Sequence, residues 1–194
     1  MPPFTDLTGL AGSASAIAAA MLLLPGMDRL AGMRRASLLG GVFALTLIPF
    51  GGMPLAAYLR GAVGDLSITT LILLWGAMMR PWYAAGVAGN RSILLVLIAF
   101  AALALYPLAL GLGRYDTYRL GYGDPLFVGA LLLLALFAWL RQYALIAICV
   151  SLAILAWAVG WYESDNLWDY LLDPFVAIYS IAAMVSYGVK KMQR

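Results

Sequence analysis

The residues best suited to chemistry lie in two polar stretches of an otherwise apolar chain. The first runs from Gly113 to Asp124 and carries Arg114, Asp116 and Arg119 among Tyr115, Tyr118 and Tyr122. The second runs from Trp161 to Asp173 and carries Glu163, Asp165 and Asp169. Arg60 stands apart from both, between two apolar runs. Guanidinium groups present paired donors that match phosphate oxygens, so Arg60, Arg114 and Arg119 are candidate ligands for a phosphate or sugar headgroup. Asp116, Glu163, Asp165 and Asp169 are candidate members of the same site. Asp165 and Asp169 are four apart and share one face if their stretch is helical. With Glu163 they could then hold a divalent cation through oxygen ligands. Alternatively, these acids form a solvated rim paired with Arg114, Arg119 and Arg60.

Other chemistries are closed off by composition. The 194 residues include no histidine, which removes imidazole metal sites and Ser-His or Cys-His nucleophile pairs. The one cysteine, Cys149, sits mid-run between Ala144 and Gly160 and reads as a small buried hydrophobe. No intramolecular disulfide can form. The net charge of +3 does not point to nucleic acid, because the basic residues cluster at the ends of apolar runs. Gly121-Tyr122-Gly123-Asp124 resembles the filter tetrad of potassium channels. A filter also needs small carbonyl-presenting residues just before it, and Arg119 and Leu120 occupy those places. The match is therefore assigned to chance.

The elements that must position these residues are membrane helices. The chain is 64% hydrophobic and 11% charged, with a mean hydropathy of +0.93. Soluble domains run at roughly half apolar and a quarter charged. Seven apolar runs are candidate spans: Leu7 to Leu24, Ser37 past Pro49, Leu66 to Met79, Ser92 to Leu112, Pro125 to Leu140, Tyr143 to Gly160, and Pro174 to Val189. No Lys or Arg precedes the first run, so it is expected to be a retained helix and not a cleaved signal. The stretch from Pro49 to Asp65 has two readings: a kinked helix with a tight turn, or a break followed by an interfacial or re-entrant segment.

Charge placement orients the bundle. Connections holding Arg29, Arg34, Arg35, Arg80, Arg91 and Arg141, with Lys190, Lys191 and Arg194, carry nine basic residues and the single acid Asp28. The opposite side carries Arg60, Arg114 and Arg119 against eight acids. By the positive-inside rule the N-terminus is outside, the C-terminus is cytoplasmic, and the span number is odd. Asp124-Pro125 and Asp173-Pro174 each read as an N-cap followed by proline in the first turn, and Asp65 reads as a third cap. Small residues at Gly9, Gly12, Ser13, Ala16 and Ala20 suit close helix packing or a homo-oligomer contact. No Asp, Glu, Lys or Arg lies at mid-span, which argues against ion-coupled transport.

The expected fold is thus an all-α, single-domain bundle of about seven transmembrane helices in a bacterial inner membrane. The expected function is handling of a phospholipid or polyprenyl-type, lipid-linked precursor at the outer, periplasmic face. Two other readings stand beside it. One is a non-catalytic accessory subunit packed against a larger membrane enzyme or transporter. The other is a transferase or hydrolase using Asp116, Glu163, Asp165 or Asp169, with a divalent cation as cofactor.

Overall fold

The computed structural model describes residues 5–30, 32–79 and 88–192. Apart from one minimal hairpin the regular structure among the described residues is all helical: α1 Thr5–Ala20, α2 Gly32–Leu47, α3 Leu55–Val63, α4 Ile68–Met78, α5 Ala88–Ala109, α6 Pro125–Leu140, α7 Ala144–Ala158, α8 Leu167–Leu171 and α9 Pro174–Met192. Each of the seven apolar runs corresponds to one of α1, α2, α4, α5, α6, α7 and α9. Among the described residues two stretches are long and apolar enough to cross a membrane, Asp6–Leu23 and Asn90–Ala109. The other apolar helices are shorter, at 10 to 17 residues. Arg80 and Arg194, two of the basic residues that orient the bundle, lie outside the described residues.

Helix boundaries follow local chemistry. α1 tightens into a 3-10 turn at Met21–Leu23 and stops before Pro25, which has no N–H to continue the ladder. α2 stops at Leu47, before Pro49. Pro49 and Phe50 pair antiparallel with Pro54 and Met53, and Gly51 and Gly52 (φ +67° and +106°) make the two-residue turn. The continuous, kinked helix through this stretch does not form, because two prolines and two left-handed glycines in six residues exclude it. α6 begins on Asp124, whose carboxylate accepts from the backbone N–H of Leu126 and Phe127 at 2.9 and 3.0 Å, with Pro125 at the first position. It ends at a left-handed Gln142 (φ +61°). There the Tyr143 N–H donates to Ala138 and the Gln142 N–H to Trp139, a Schellman closure.

The chain divides into two compact units. The first comprises Met1–Leu66, Leu71–Ala84 and Gly160–Glu163. In it α1 packs on α2 and α3. Its core gathers Ala18, Ala19, Met27, Leu39 and Met78. Gly12 of α1 faces the Leu71 side chain, so the small-residue stripe is used within the fold. The second unit comprises Ser67–Thr70, Ala85–Val159 and Ser164–Arg194. There α7 packs on α5, α6 and α8, and α5 packs on α9. α7 is well enclosed, burying Ile146, Cys149, Val150 and Ala153 among others. α6 is the converse: it buries only Ala135 and Ala138 and exposes leucines and aromatics around most of its circumference, Leu126 by 84% and Trp139 by 67%.

Candidate functional site

Arg60 is the centre of an ion cluster in the first unit. It lies in the last turn of α3, which closes at Gly64 (φ +77°) with the Gly64 N–H bonded to the Arg60 carbonyl at 2.8 Å. This turn returns the chain so that Asp65 faces back onto Arg60. Arg60 Nε and Nη2 donate to the two Asp65 oxygens at 2.6 and 3.1 Å, a forked pair. Nη1 donates to Asp6 at 2.8 Å, and Glu163 lies 3.5 Å from Nη2. The Asp65 hydrogen bond, opposed by burial and joined by Asp6, raises the Arg60 pKa well above its ordinary value. Gly9 of α1 provides the clearance, since a Cβ there would fall onto the Asp65 carboxylate and the Arg60 guanidinium. The cluster borders an open cleft of about 530 Å³, also lined by Leu10 and Ala57. One cation against three carboxylates leaves this cleft net negative.

Asp65 is therefore not the cap of α4. That place is taken by Ser67, whose Oγ accepts from the Thr70 N–H at 3.2 Å. Asp173 is the expected cap of α9, accepting from the N–H of Phe175 and Val176 at 2.9 Å each. Its second oxygen has a further role that the sequence did not suggest. It accepts from the Ser67 N–H (2.9 Å), the Ser67 hydroxyl (2.8 Å) and the Thr70 hydroxyl. A carboxylate only 5% exposed thus serves two helix N-termini with five hydrogen bonds.

The two polar stretches meet in the second unit through Tyr118 and Asp169. The Tyr118 hydroxyl lies 2.8 Å from both Asp169 oxygens, and Ser164 donates to the same carboxylate. Burial first, then the Asp169 hydrogen bond, push the Tyr118 phenol above its ordinary range. Asn166 is fully buried, caps α8 by accepting from the Trp168 N–H, and donates to the Tyr118 carbonyl at 2.9 Å. The Trp168 indole donates to the Thr117 carbonyl at 3.0 Å. Gly121 lets Asn166 and Trp168 approach, since a Cβ there would collide with both. Asp116 accepts from the Tyr118 N–H, a local turn bond.

These contacts divide the seven candidate residues. Arg60 and Glu163 meet in the ion cluster, and Asp169 is committed to Tyr118 and Ser164. Asp116 stabilises its own turn. Asp165 precedes the Asn166 cap and so lies outside α8, which removes the shared helical face with Asp169. Its backbone carbonyl accepts from the Trp157 indole. Among the described residues no group of three or more potential ligands is arranged to hold a metal ion. Arg114 and Arg119 are exposed and, among the described residues, form no ion pair. Sequence reasoning missed Tyr118, Ser164 and Asn166 as the clamp and Asp6 and Asp65 as Arg60 partners. Only the Asp65 spacing from Arg60, across Gly64, gave a local signal. Comparison of the chain with protein families, with curated proteins and with solved structures gives no match.

Proposed function

We propose that this chain is an integral membrane protein of about seven helical spans, N-terminus outside and C-terminus cytoplasmic, in a bacterial inner membrane. At its periplasmic face it binds the phosphate-bearing headgroup of a phospholipid or lipid-linked precursor through Arg114 and Arg119. The observation that carries this proposal is the pairing state of the arginines. Arg60 is matched by three carboxylates and serves as scaffold, whereas Arg114 and Arg119 flank the clamped Thr117–Tyr118 segment and, among the described residues, have no ion-pair partner. An exposed pair of guanidinium forks on an anchored loop is suited to phosphate, because little loop entropy remains to be lost on binding.

Support for the bilayer comes from what the helices expose. Of the two long stretches the more hydrophobic, Asn90–Ala109, buries only 33% of its residues, against the mostly buried state of a soluble core helix. Leucines and aromatics face outward along α6 and α9, which in water would be an aggregation surface. The described helices of 11 to 16 residues reach roughly 17–24 Å, and the shorter of them need packing among longer neighbours or a locally thinned bilayer.

The test is native mass spectrometry of the full chain in mild detergent, with the retained lipid identified. One tightly held lipid species, lost in Arg114→Ala/Arg119→Ala, is expected. A bare protein, or bulk lipid retained in proportion, refutes headgroup binding. Release of the chain from membranes by alkaline carbonate refutes the membrane assignment itself.

A further inference from the structure

At the other end of the second unit a different arginine, Arg91, forms no ion pair among the described residues. The Asn90 amide donates to the Gln142 carbonyl at 3.0 Å, which sets the first turn of α5 beside the turn between α6 and α7. Ser92 reaches the Tyr187 hydroxyl at 3.5 Å, and Arg91 Nη2 donates to the Tyr179 hydroxyl at 3.0 Å, so α9 closes the same corner. Arg91 thus spends one donor on a neutral phenol. Its Nε–H is shut off from solvent and, among the described residues, has no hydrogen-bond partner. Arg141, next to Gln142, is exposed beside Phe137.

Among the described residues neither Arg91 nor Arg141 forms an ion pair. The chain has no Asp or Glu between Asp65 and Asp116, between Asp124 and Glu163, or after Asp173. α5, α6, α7 and α9 therefore contain none. An arginine with a shielded, unused Nε–H and no carboxylate partner among the described residues carries a cost that an anionic oxygen would remove. The flanks of this corner are apolar and exposed, with Trp139 and Leu140 near two-thirds accessible, so acyl chains can lie beside it.

We propose that this corner binds the phosphate of an acidic phospholipid, with Arg91 as the principal ligand and Arg141 as the second. The site is separate from Arg114 and Arg119 and shares with the proposed function only the assumption of a bilayer. By the positive-inside argument it faces the cytoplasmic leaflet, where basic pockets between helices take anionic headgroups.

The experiment reconstitutes the full chain into nanodiscs of equimolar phosphatidylglycerol and phosphatidylcholine. It then reads the ratio of the two lipids retained on release by native mass spectrometry. The wild type should enrich phosphatidylglycerol by about fivefold for each arginine engaged, and less at high salt. Arg91→Gln/Arg141→Gln should bring the ratio near unity, Arg91→Lys should lie between, and Arg114→Gln/Arg119→Gln should leave it unchanged. Should Arg91→Gln fail to fold, Arg141→Gln at its exposed position carries the test alone, with a drop of about fivefold expected. No enrichment in the wild type, enrichment that survives loss of Arg91 and Arg141, or loss through Arg114 and Arg119 instead overturns the proposal. Equal thermal stabilisation by soluble glycerol 3-phosphate in pure phosphatidylcholine also overturns it, by making the ligand a free phosphate. A chain that carbonate strips from the membrane sinks both proposals. An embedded chain without lipid preference sinks this one only.

Discussion

Replacing Asp173 tests whether one carboxylate fastens the first turn of α4 to α9. Its two α9 bonds form an ordinary N-cap, worth about 1 kcal/mol. Its three bonds from Ser67 and Thr70 are charge-assisted and buried, so losing the carboxylate strands at least the Ser67 N–H away from water. Asp173→Ala should therefore cost about 3–5 kcal/mol, the range for breaking a buried charged contact. In a chain of this length that corresponds to roughly 10 °C in Tm. Asp173→Asn is the more discriminating change. Its amide oxygen can keep either the α9 cap or the α4 donors, but its NH2 must then face donors on the other side. A cost of about 2–3 kcal/mol is expected despite asparagine being a good capping residue. Thr70→Val should destabilise the wild type yet partly rescue Asp173→Asn, because it removes one of the opposed donors. The assay is thermal unfolding in detergent by intrinsic tryptophan fluorescence. Asp173→Asn within about 1 °C of the wild type, or a Thr70→Val effect of the same sign and size in both backgrounds, would refute the two-helix role.

Two other outcomes are expected. Gly9→Ala should cost about 2 kcal/mol by displacing Arg60 from Asp65, whereas Gly12→Ala, whose Cβ meets Leu71 at 3.6 Å, should stay within about 0.5 kcal/mol by the same unfolding assay. The raised pKa of Tyr118 means the folded state holds that proton more tightly than the unfolded chain. Its stabilisation is fully present below the ordinary phenol value near 10.0 and is lost as pH rises beyond it. Tyr118→Phe should lower Tm near neutral pH and remove one late-ionising phenol from the 295 nm titration.

Features governed by neighbours in sequence were readable, and those made by distant partners were not. Asp124-Pro125 and the run to Leu140 gave α6 at both ends, because capping and a polar turn are local. The paired glycines and prolines from Pro49 to Pro54 marked the break but left open whether a kink would absorb it. Asp173 read correctly as a cap. Its bonds to Ser67 and Thr70 span more than a hundred residues and leave no pattern in either segment. Asp65 was misread for the opposite reason, since any acid just before an apolar run looks like a cap. Its forked pairing depends on the left-handed Gly64 turning it back onto Arg60. The candidate site residues came from the two polar stretches and from Arg60. Charge alone could not separate arginines already matched from those left free.

The Asp173 contact also bears on how the chain is made. Ser67 and Asp173 are 106 residues apart, so at roughly 5–20 residues per second α4 is synthesised on the order of ten seconds before its partner. Through that interval the Ser67 N–H and the hydroxyls of Ser67 and Thr70 lack their acceptor. An early α4 must keep this turn in contact with water or an insertion factor until α9 arrives. Arrival of α9 is then the step that closes this turn during biogenesis.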